Sequence, residues 1–132
     1  MIDSNNMQGP MPTEICTLSN LTTLDFGGNL ISGNIPECIS NIVDLTTLSL
    51  SENSFTGGIP ESLYDLRSLI RLNLNENNLN GTISTNIFQL QDLVNLELNT
   101  NELSGMIPTE IGRLSSLRKL SAATVIPYIF MI

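Results

Sequence analysis

The side chains that most often carry out chemistry are scarce or scattered in this sequence. Histidine is absent from all 132 residues. This excludes a Ser-His-Asp or Cys-His nucleophile system and a His-ligated zinc site. The two cysteines, Cys16 and Cys38, are too few for an all-cysteine zinc site or a dense disulfide scaffold. We therefore expect no metal and no cofactor, and carboxylates remain as the most abundant reactive groups.

Composition and charge narrow the class of protein further. The chain carries 13 acidic against 5 basic residues, a net charge of −8, and this argues against a nucleic-acid-binding face, which needs a basic stripe. With 41% hydrophobic and 14% charged residues, it is too apolar to be disordered. The acids are uneven, because residues 1–66 contain no base at all. This half could favour a cationic partner, but solubility is the interpretation we prefer.

A 24-residue repeat organises the chain from Asn5 to Leu120 without insertion or deletion. Glycine, isoleucine and leucine columns recur in one register, and a proline column is broken only by Ser84. The asparagine column, which we call the asparagine ladder, comprises Asn5, Asn29, Asn53, Asn77 and Asn101. Leucine pairs two residues apart predict a short strand in each unit. The ladder asparagines then fall inward, where a buried amide must be hydrogen-bonded, so we expect them to tie each turn to the next coil.

The unit reads L-x-x-L-x-x-L-x-L-x-x-N-x-L-x-G-x-I-P-x-x-I. It resembles the leucine-rich repeat family, specifically the plant-type 24-residue class of receptor-like kinases, receptor-like proteins and polygalacturonase-inhibiting proteins. The resemblance implies an α/β repeat solenoid, a right-handed superhelix of about five coils with a parallel β-sheet on its concave face. It predicts the repeat array over residues 1–120, with a partial first unit, and implies no catalytic residues.

The outward positions of the predicted strands are the candidate binding residues, because solenoids present extended concave surfaces. They are mostly small or amide-bearing, and a solvated polar face is the competing interpretation. Arg71 is the only residue among them of a type enriched at interface hot spots. The concave-face candidates are Thr23, Asp25, Thr47, Ser49, Arg71, Asn73, Asn75, Asn95, Glu97, Asn99 and Lys119.

Several functions are compatible with such a face. We favour a non-catalytic module that recognises a protein, peptide or glycan, resembling part of a receptor-like protein or kinase ectodomain. The alternatives are a soluble inhibitor or scaffold of the polygalacturonase-inhibitor type, and a truncated remnant. An enzyme is disfavoured because Asp25 and Glu97 lie three coils apart, too far for a glycosidase pair. We expect a monomer unless the uncapped ends associate.

The cysteines are predicted to be free thiols. Cys16 and Cys38 are 22 residues apart and so fall outside a common repeat column. Neither matches the paired cysteines that secreted members of the family carry in terminal caps. Because they lie on adjacent coils, a bridge between them stays open.

Two N-x-S/T sequons offer candidate glycosylation sites, at Asn20 and Asn80. Asn80 is predicted in a turn, whereas Asn20 falls between inward leucines. Asparagine-rich sequences also produce sequons by accident, and glycosylation requires secretion.

The chain ends depart from the repeat. No signal-peptide pattern or cap motif precedes Asn5, and the proline-interrupted segment 121–132 is predicted to be a non-repeat apolar tail. At 12 residues, this tail is too short to span a bilayer, so no transmembrane segment is expected. The ends favour a truncated or partial chain, and no localisation is predicted beyond extracellular or cell-surface if it derives from a receptor-like protein.

Overall fold

The computed structural model of the chain describes residues 5–122, in which short strands alternate with 3-10 helices once per repeat. The strands are β1 (Gln8–Pro10), β2 (Thr23–Asp25), β3 (Leu30–Asn34), β4 (Thr47–Ser49), β5 (Ser54–Gly57), β6 (Arg71–Asn73), β7 (Asn78–Gly81), β8 (Asn95–Glu97), β9 (Glu102–Leu103) and β10 (Lys119–Ser121). The 3-10 helices are Thr13–Thr17, Glu37–Asn41, Glu61–Asp65, Thr85–Gln89 and Thr109–Arg113. Each coil therefore runs from one strand through a turn to a second strand and then a helix.

The concave sheet contains β2, β4, β6, β8 and β10 in spatial order, with all neighbours parallel. Its strands pair residues 24 positions apart, so that Arg71 lies between Thr47 and Asn95. This is the register that the repeat columns predict. The leucine-rich repeat solenoid with a parallel concave sheet is confirmed.

A second parallel sheet, which the sequence interpretation did not include, contains β1, β3, β5, β7 and β9. It follows the turn after each concave strand and has a different register, pairing residues 22 positions apart, as in Gln8 with Leu30 and Asn80 with Glu102. Neighbouring coils are thus displaced by two residues on this side of the solenoid. The displacement also decides which side chains of adjacent coils can meet there.

The core is a continuous column of leucine and isoleucine between the two sheets and the helices. The central leucines are fully buried, with Leu48 and Leu96 each 0% exposed. The leucine columns predict inward positions at both ends too, but Leu18 is 49% and Leu120 is 40% exposed. The reason is that each lies in a terminal coil of the described range and has a neighbouring coil on one side only. Burial therefore decreases from the centre of the array toward its ends.

The 3-10 helices begin after an extended residue of the proline column, such as Pro36 with φ −70°. Proline suits this position because its φ is fixed and its missing N–H is not needed. Where the column is broken, the Ser84 hydroxyl accepts a hydrogen bond from the Asn86 backbone N–H at 3.1 Å. The serine thus replaces a conformational restraint with a side-chain cap.

The asparagine ladder forms hydrogen bonds at every coil boundary from the second coil onward. The Asn53 amide nitrogen donates to the Phe26 carbonyl at 2.9 Å, and its oxygen accepts from the Ile31 N–H at 2.9 Å. Both partners belong to the preceding coil, so the direction of the link is opposite to the one expected. Asn29, Asn77 and Asn101 are buried, whereas Asn5 in the first coil is exposed.

The prediction of free cysteines was wrong, because Cys16 and Cys38 form a disulfide with a Cα–Cα distance of 5.7 Å. The prediction assumed that only residues in one column, 24 apart, face each other. On the helical side, however, contacts run diagonally, and Cys38 lies beside both Thr13 and Cys16. Those two residues are three apart and therefore lie on one face of a 3-10 helix. The disulfide joins the first helix to the second.

The proposed boundary between array and tail lies at the limit of the described range. Strand β10 ends at Ser121, and residues 123–132, which form most of the predicted apolar tail, lie outside the described residues. Within the part of the chain that is described, no helix has the length and hydrophobicity needed to cross a membrane.

Candidate functional site

The concave sheet places the predicted binding residues side by side. Thr23 and Asp25 are on β2, Thr47 and Ser49 on β4, Arg71 and Asn73 on β6, Asn95 and Glu97 on β8, and Lys119 on β10. Asn75 and Asn99 lie in the turns that follow β6 and β8. Because the inward leucines of each strand anchor it in the core, the outward side chains are held in fixed rows.

A cavity of about 250 Å³ opens over the central three strands of this sheet. Six of the predicted residues line it, together with the outer edges of two core leucines. The lining comprises Thr47, Leu48, Ser49, Arg71, Leu72, Asn73, Asn95 and Glu97. Its polar groups are thus two hydroxyls, two amides, one carboxylate and one guanidinium, which suit hydrogen bonding to peptide-like groups rather than enclosure of an apolar ligand.

The charges on this face are not equivalent. Lys119 Nζ lies 2.8 Å from Glu97 Oε1, and this pair neutralises the carboxylate that borders the cavity. Arg71 is exposed, and no hydrogen bond or ion pair engages its guanidinium within residues 5–122. The site therefore presents one uncompensated positive charge at its centre on a protein whose net charge is −8.

Several predicted site residues also hold the turn at the end of their strand. Asp25 Oδ1 accepts a hydrogen bond from the Gly27 N–H at 2.9 Å, and Asn73 Oδ1 accepts from the Asn75 N–H at 3.4 Å. The Asn75 amide in turn donates to Glu76 Oε1 at 3.3 Å. The Asn73 side chain therefore keeps both amide N–H donors available to a ligand. In Asp25, one carboxylate oxygen already accepts a hydrogen bond from the backbone of the following turn.

Sequence reasoning missed two apolar side chains that directly precede strands whose residues line the cavity. Ile70 is 40% exposed and Val94 is half-buried, and each lies directly before a strand of the concave sheet. They belong to one repeat column with Thr46 and Arg118. An inspection of every variable column of the repeat would have identified them. Ile70 therefore adds an exposed apolar side chain next to Arg71 in sequence.

A larger cavity, of about 460 Å³, lies on the flank where the third and fourth helices lead into their turns. Arg67, Phe88, Gln89, Gln91 and Asp92 line it. Most of its groups already have partners, since Arg67 Nη2 donates to Gln89 Oε1 at 3.4 Å, the Gln91 amide donates to the Phe88 carbonyl, and the Arg113 guanidinium from outside the lining lies over the Phe88 ring at 5.1 Å. None of the predicted site residues lies there, and its self-satisfied contacts make it the weaker candidate.

Side chains that could bind a metal ion are not clustered in the described part of the chain. No group of three histidine, cysteine, aspartate or glutamate residues is placed to hold a metal within residues 5–122.

Comparison with known proteins identifies the family. The leucine-rich repeat model matches residues 20–42, 44–66 and 68–90, which together exceed half of the chain. No curated protein sequence matches.

Three solved structures show the same architecture. The ectodomain of the plant membrane receptor kinase GASSHO1/SCHENGEN3 from Arabidopsis thaliana, in complex with CASPARIAN STRIP INTEGRITY FACTOR 2, is 36% identical with a TM-score of 0.88, over 89% of this chain and 14% of that one. The PEPR1–AtPEP1 structure is 38% identical with a TM-score of 0.88, over 91% and 17%. The Arabidopsis receptor kinase HAESA, in complex with the peptide hormone IDA and the co-receptor SERK1, is 31% identical with a TM-score of 0.85, over 93% and 21%.

The chain thus spans between one seventh and about one fifth of the length of these receptor structures. Within that span, the repeat columns, the sheet register and the family match all agree. The chain belongs to the leucine-rich repeat family, in its plant-type class.

Proposed function

We propose that the chain is a non-catalytic recognition module that binds an extended peptide or protein segment across its concave sheet. The observation that carries this proposal is the unpaired Arg71 guanidinium at the centre of a cavity whose only carboxylate is neutralised by Lys119. A ligand that places an acidic group on Arg71 would supply the missing partner. Charge-assisted hydrogen bonds of this kind are shorter and stronger than neutral ones.

The surroundings of Arg71 suit a polypeptide ligand. The Asn73 and Asn95 amides each offer donors and an acceptor, which match the N–H and C=O groups of an extended main chain. The exposed Ile70 side chain could contact an apolar residue of the ligand. The HAESA structure supports this interpretation, because that receptor kinase is described in complex with a peptide hormone and a co-receptor.

The size of the face limits the affinity that we expect. Five strands of three residues each, spaced about 4.8 Å apart and rising about 3.3 Å per residue, give an area of a few hundred Å². A standard protein interface buries about 800 Å² per partner. We therefore expect weak binding by this chain alone, with Arg71 supplying much of the discrimination between ligands.

Panning a displayed library of random linear peptides on the purified chain would test the proposal. We expect the recovered peptides to carry an aspartate, a glutamate or a free C-terminal carboxylate, since those groups would satisfy Arg71. Arg71→Ala should weaken their binding about tenfold or more, because a hydrogen bond to a charged group contributes about 1.5–3 kcal/mol.

Arg113→Ala is the matched control, because it removes an exposed arginine on the helical side, away from the concave sheet. The proposal is wrong if peptides bind Arg71→Ala as well as the unmodified chain, or if Arg113→Ala abolishes binding instead. Failure to enrich any peptide would also count against it.

A further inference from the structure

Asn80 lies near the end of β7 in the second sheet rather than in the predicted turn, and the recognition proposed for the concave face does not use it. It begins the sequence Asn80-Gly81-Thr82, which is one of only two N-x-S/T sequons among the 16 asparagines of the chain. All three of its residues are exposed. The acceptor position and the hydroxyl residue that an N-glycosylation site requires are therefore both on the surface.

The Asn80 amide differs from most asparagine amides in the described residues because its side chain forms no hydrogen bond. The ladder asparagines are tied to backbone groups, and the Asn86 amide donates to Glu61 Oε2 at 2.9 Å. At the other sequon, Asn20 Oδ1 accepts from the Ser19 hydroxyl at 3.4 Å. Within residues 5–122, the Asn80 side chain makes no hydrogen bond, so its modification would cost the fold no interaction.

The surface beside Asn80 is open. A Cβ placed on Gly81 would meet no atom within 4 Å, and Gly81 already has the positive φ of +79° that favours glycine. Open space next to the acceptor leaves room for a bulky branched group.

The disulfide supplies an independent observation about the compartment in which the chain folds. Cys16 and Cys38 are the only cysteines of the protein, and they are joined. Disulfides of this structural kind form and persist in oxidising environments such as the endoplasmic reticulum lumen and the cell exterior. N-glycosylation takes place in the same secretory route, so the two features indicate one origin.

We propose that Asn80 is an N-glycosylation site of this protein. In the reaction, the Asn80 amide nitrogen forms a bond to the anomeric carbon of an oligosaccharide carried on a lipid diphosphate. The bond between that carbon and the diphosphate breaks, the amide loses one proton, and the lipid diphosphate leaves. The oligosaccharide would then project from the second sheet, whereas Arg71 lies on the concave sheet and stays uncovered.

The test is to secrete the chain from a eukaryotic host behind a supplied signal peptide, in an Asn20→Gln background that leaves only the Asn80 sequon. Intact mass and peptide mapping, with and without an amidase that converts glycosylated asparagine to aspartate, would locate the glycan. We expect a glycan on Asn80 that is lost in Thr82→Ala and kept in Thr82→Ser, because serine preserves the sequon.

Asn80→Gln provides a second loss-of-site variant if Thr82→Ala folds poorly. Asn78→Gln is the matched control, because Asn78 is an exposed asparagine of the same strand but lies outside any sequon. A secreted chain that forms the Cys16–Cys38 disulfide but carries no glycan on Asn80 would overturn the proposal. So would a glycan mass that persists in both Thr82→Ala and Asn80→Gln.

Discussion

The side chain of Asn77 shows how much of the fold a single residue can hold together. Its oxygen accepts from the Phe55 N–H at 2.9 Å, and its nitrogen donates to the carbonyls of Leu50 at 2.9 Å and Asn75 at 3.2 Å. Asn77 is only 8% exposed, so water cannot replace these partners. Since the same geometry recurs at Asn53 and Asn101, the amide works as a repeated clamp between coils.

Replacing Asn77 by alanine should therefore be costly. The change leaves the buried Phe55 N–H unpaired, with a penalty of about 1–3 kcal/mol, and it removes one of the two amide donors to the Leu50 carbonyl, which costs about 1 kcal/mol because Asn53 still donates there at 3.3 Å. We expect a loss of about 2–4 kcal/mol in the free energy of unfolding, measured by urea denaturation. Asn78→Ala removes an exposed neighbouring amide and should change the free energy by less than about 0.5 kcal/mol. Equal effects of the two substitutions would show that the ladder contributes little.

At the scale of elements, the 3-10 helices place one ionisable side chain inside the protein. Tyr64, in the third helix, is 1% exposed, and burial raises the pKa of its phenol from 10.0 to about 12. Burial is the largest cause of this net shift; the backbone of Ser84 lowers the pKa, and the nearby Glu61 carboxylate makes a smaller contribution that raises it. The helix packing thus favours the neutral phenol.

This shift predicts an alkaline loss of stability. Because the pKa is higher in the folded chain, the contribution is complete below about pH 10 and is lost as the pH rises toward 12. The difference amounts to about 2–3 kcal/mol by pH 12. Tyr64→Phe, which cannot ionise, should unfold with a flatter pH dependence above pH 10 than the unmodified chain. Urea unfolding at several pH values would measure this, and the difference in phenolate absorbance between the unmodified chain and Tyr64→Phe would isolate Tyr64 from Tyr128, the other tyrosine. Parallel curves for the two proteins would contradict the prediction.

The elements also show how far the sequence could predict the structure. The concave sheet follows from the 24-residue columns, because residues of one column, such as Leu48 and Leu72, pair across its strands. The second sheet was missed, because its 22-residue register depends on how the turns tilt each coil. The disulfide was missed for the same reason, since columns alone do not show diagonal contacts between helices.

The candidate site, like the fold, could be predicted only in part from the repeat columns. The columns identify the row that contains Arg71, but only the structure shows that Lys119 neutralises Glu97 and that Arg71 is left unpaired. Side-chain pairing between strands depends on rotamers as well as on register. Ile70 was missed because strand alternation alone would direct a residue beside Arg71 inward, although its column of Thr46, Ile70, Val94 and Arg118 is visible in the repeat.

At the scale of the whole molecule, each coil contacts only its neighbours, so stability should vary along the array. Central strands such as β6 have coils on both sides, whereas the coil containing β2 lies near one end of the described range. The disulfide compensates at that end by linking the first two helices across 22 residues. Closing a loop of this length in the unfolded chain is worth about 3 kcal/mol in the chain-entropy model.

Removing the disulfide should therefore loosen one end of the molecule more than its centre. We expect the double variant Cys16→Ser, Cys38→Ser to lose amide hydrogen-exchange protection in residues 13–41 first. Without the cross-link, the locally unfolded state of this segment is no longer restrained and becomes more populated. Strands β6 and β8, whose leucines are fully buried, should keep most of their protection. Hydrogen exchange followed by mass spectrometry would resolve the two regions. A uniform loss across both would mean that the coils unfold as one unit, and that the cross-link stabilises the whole array rather than its first two coils.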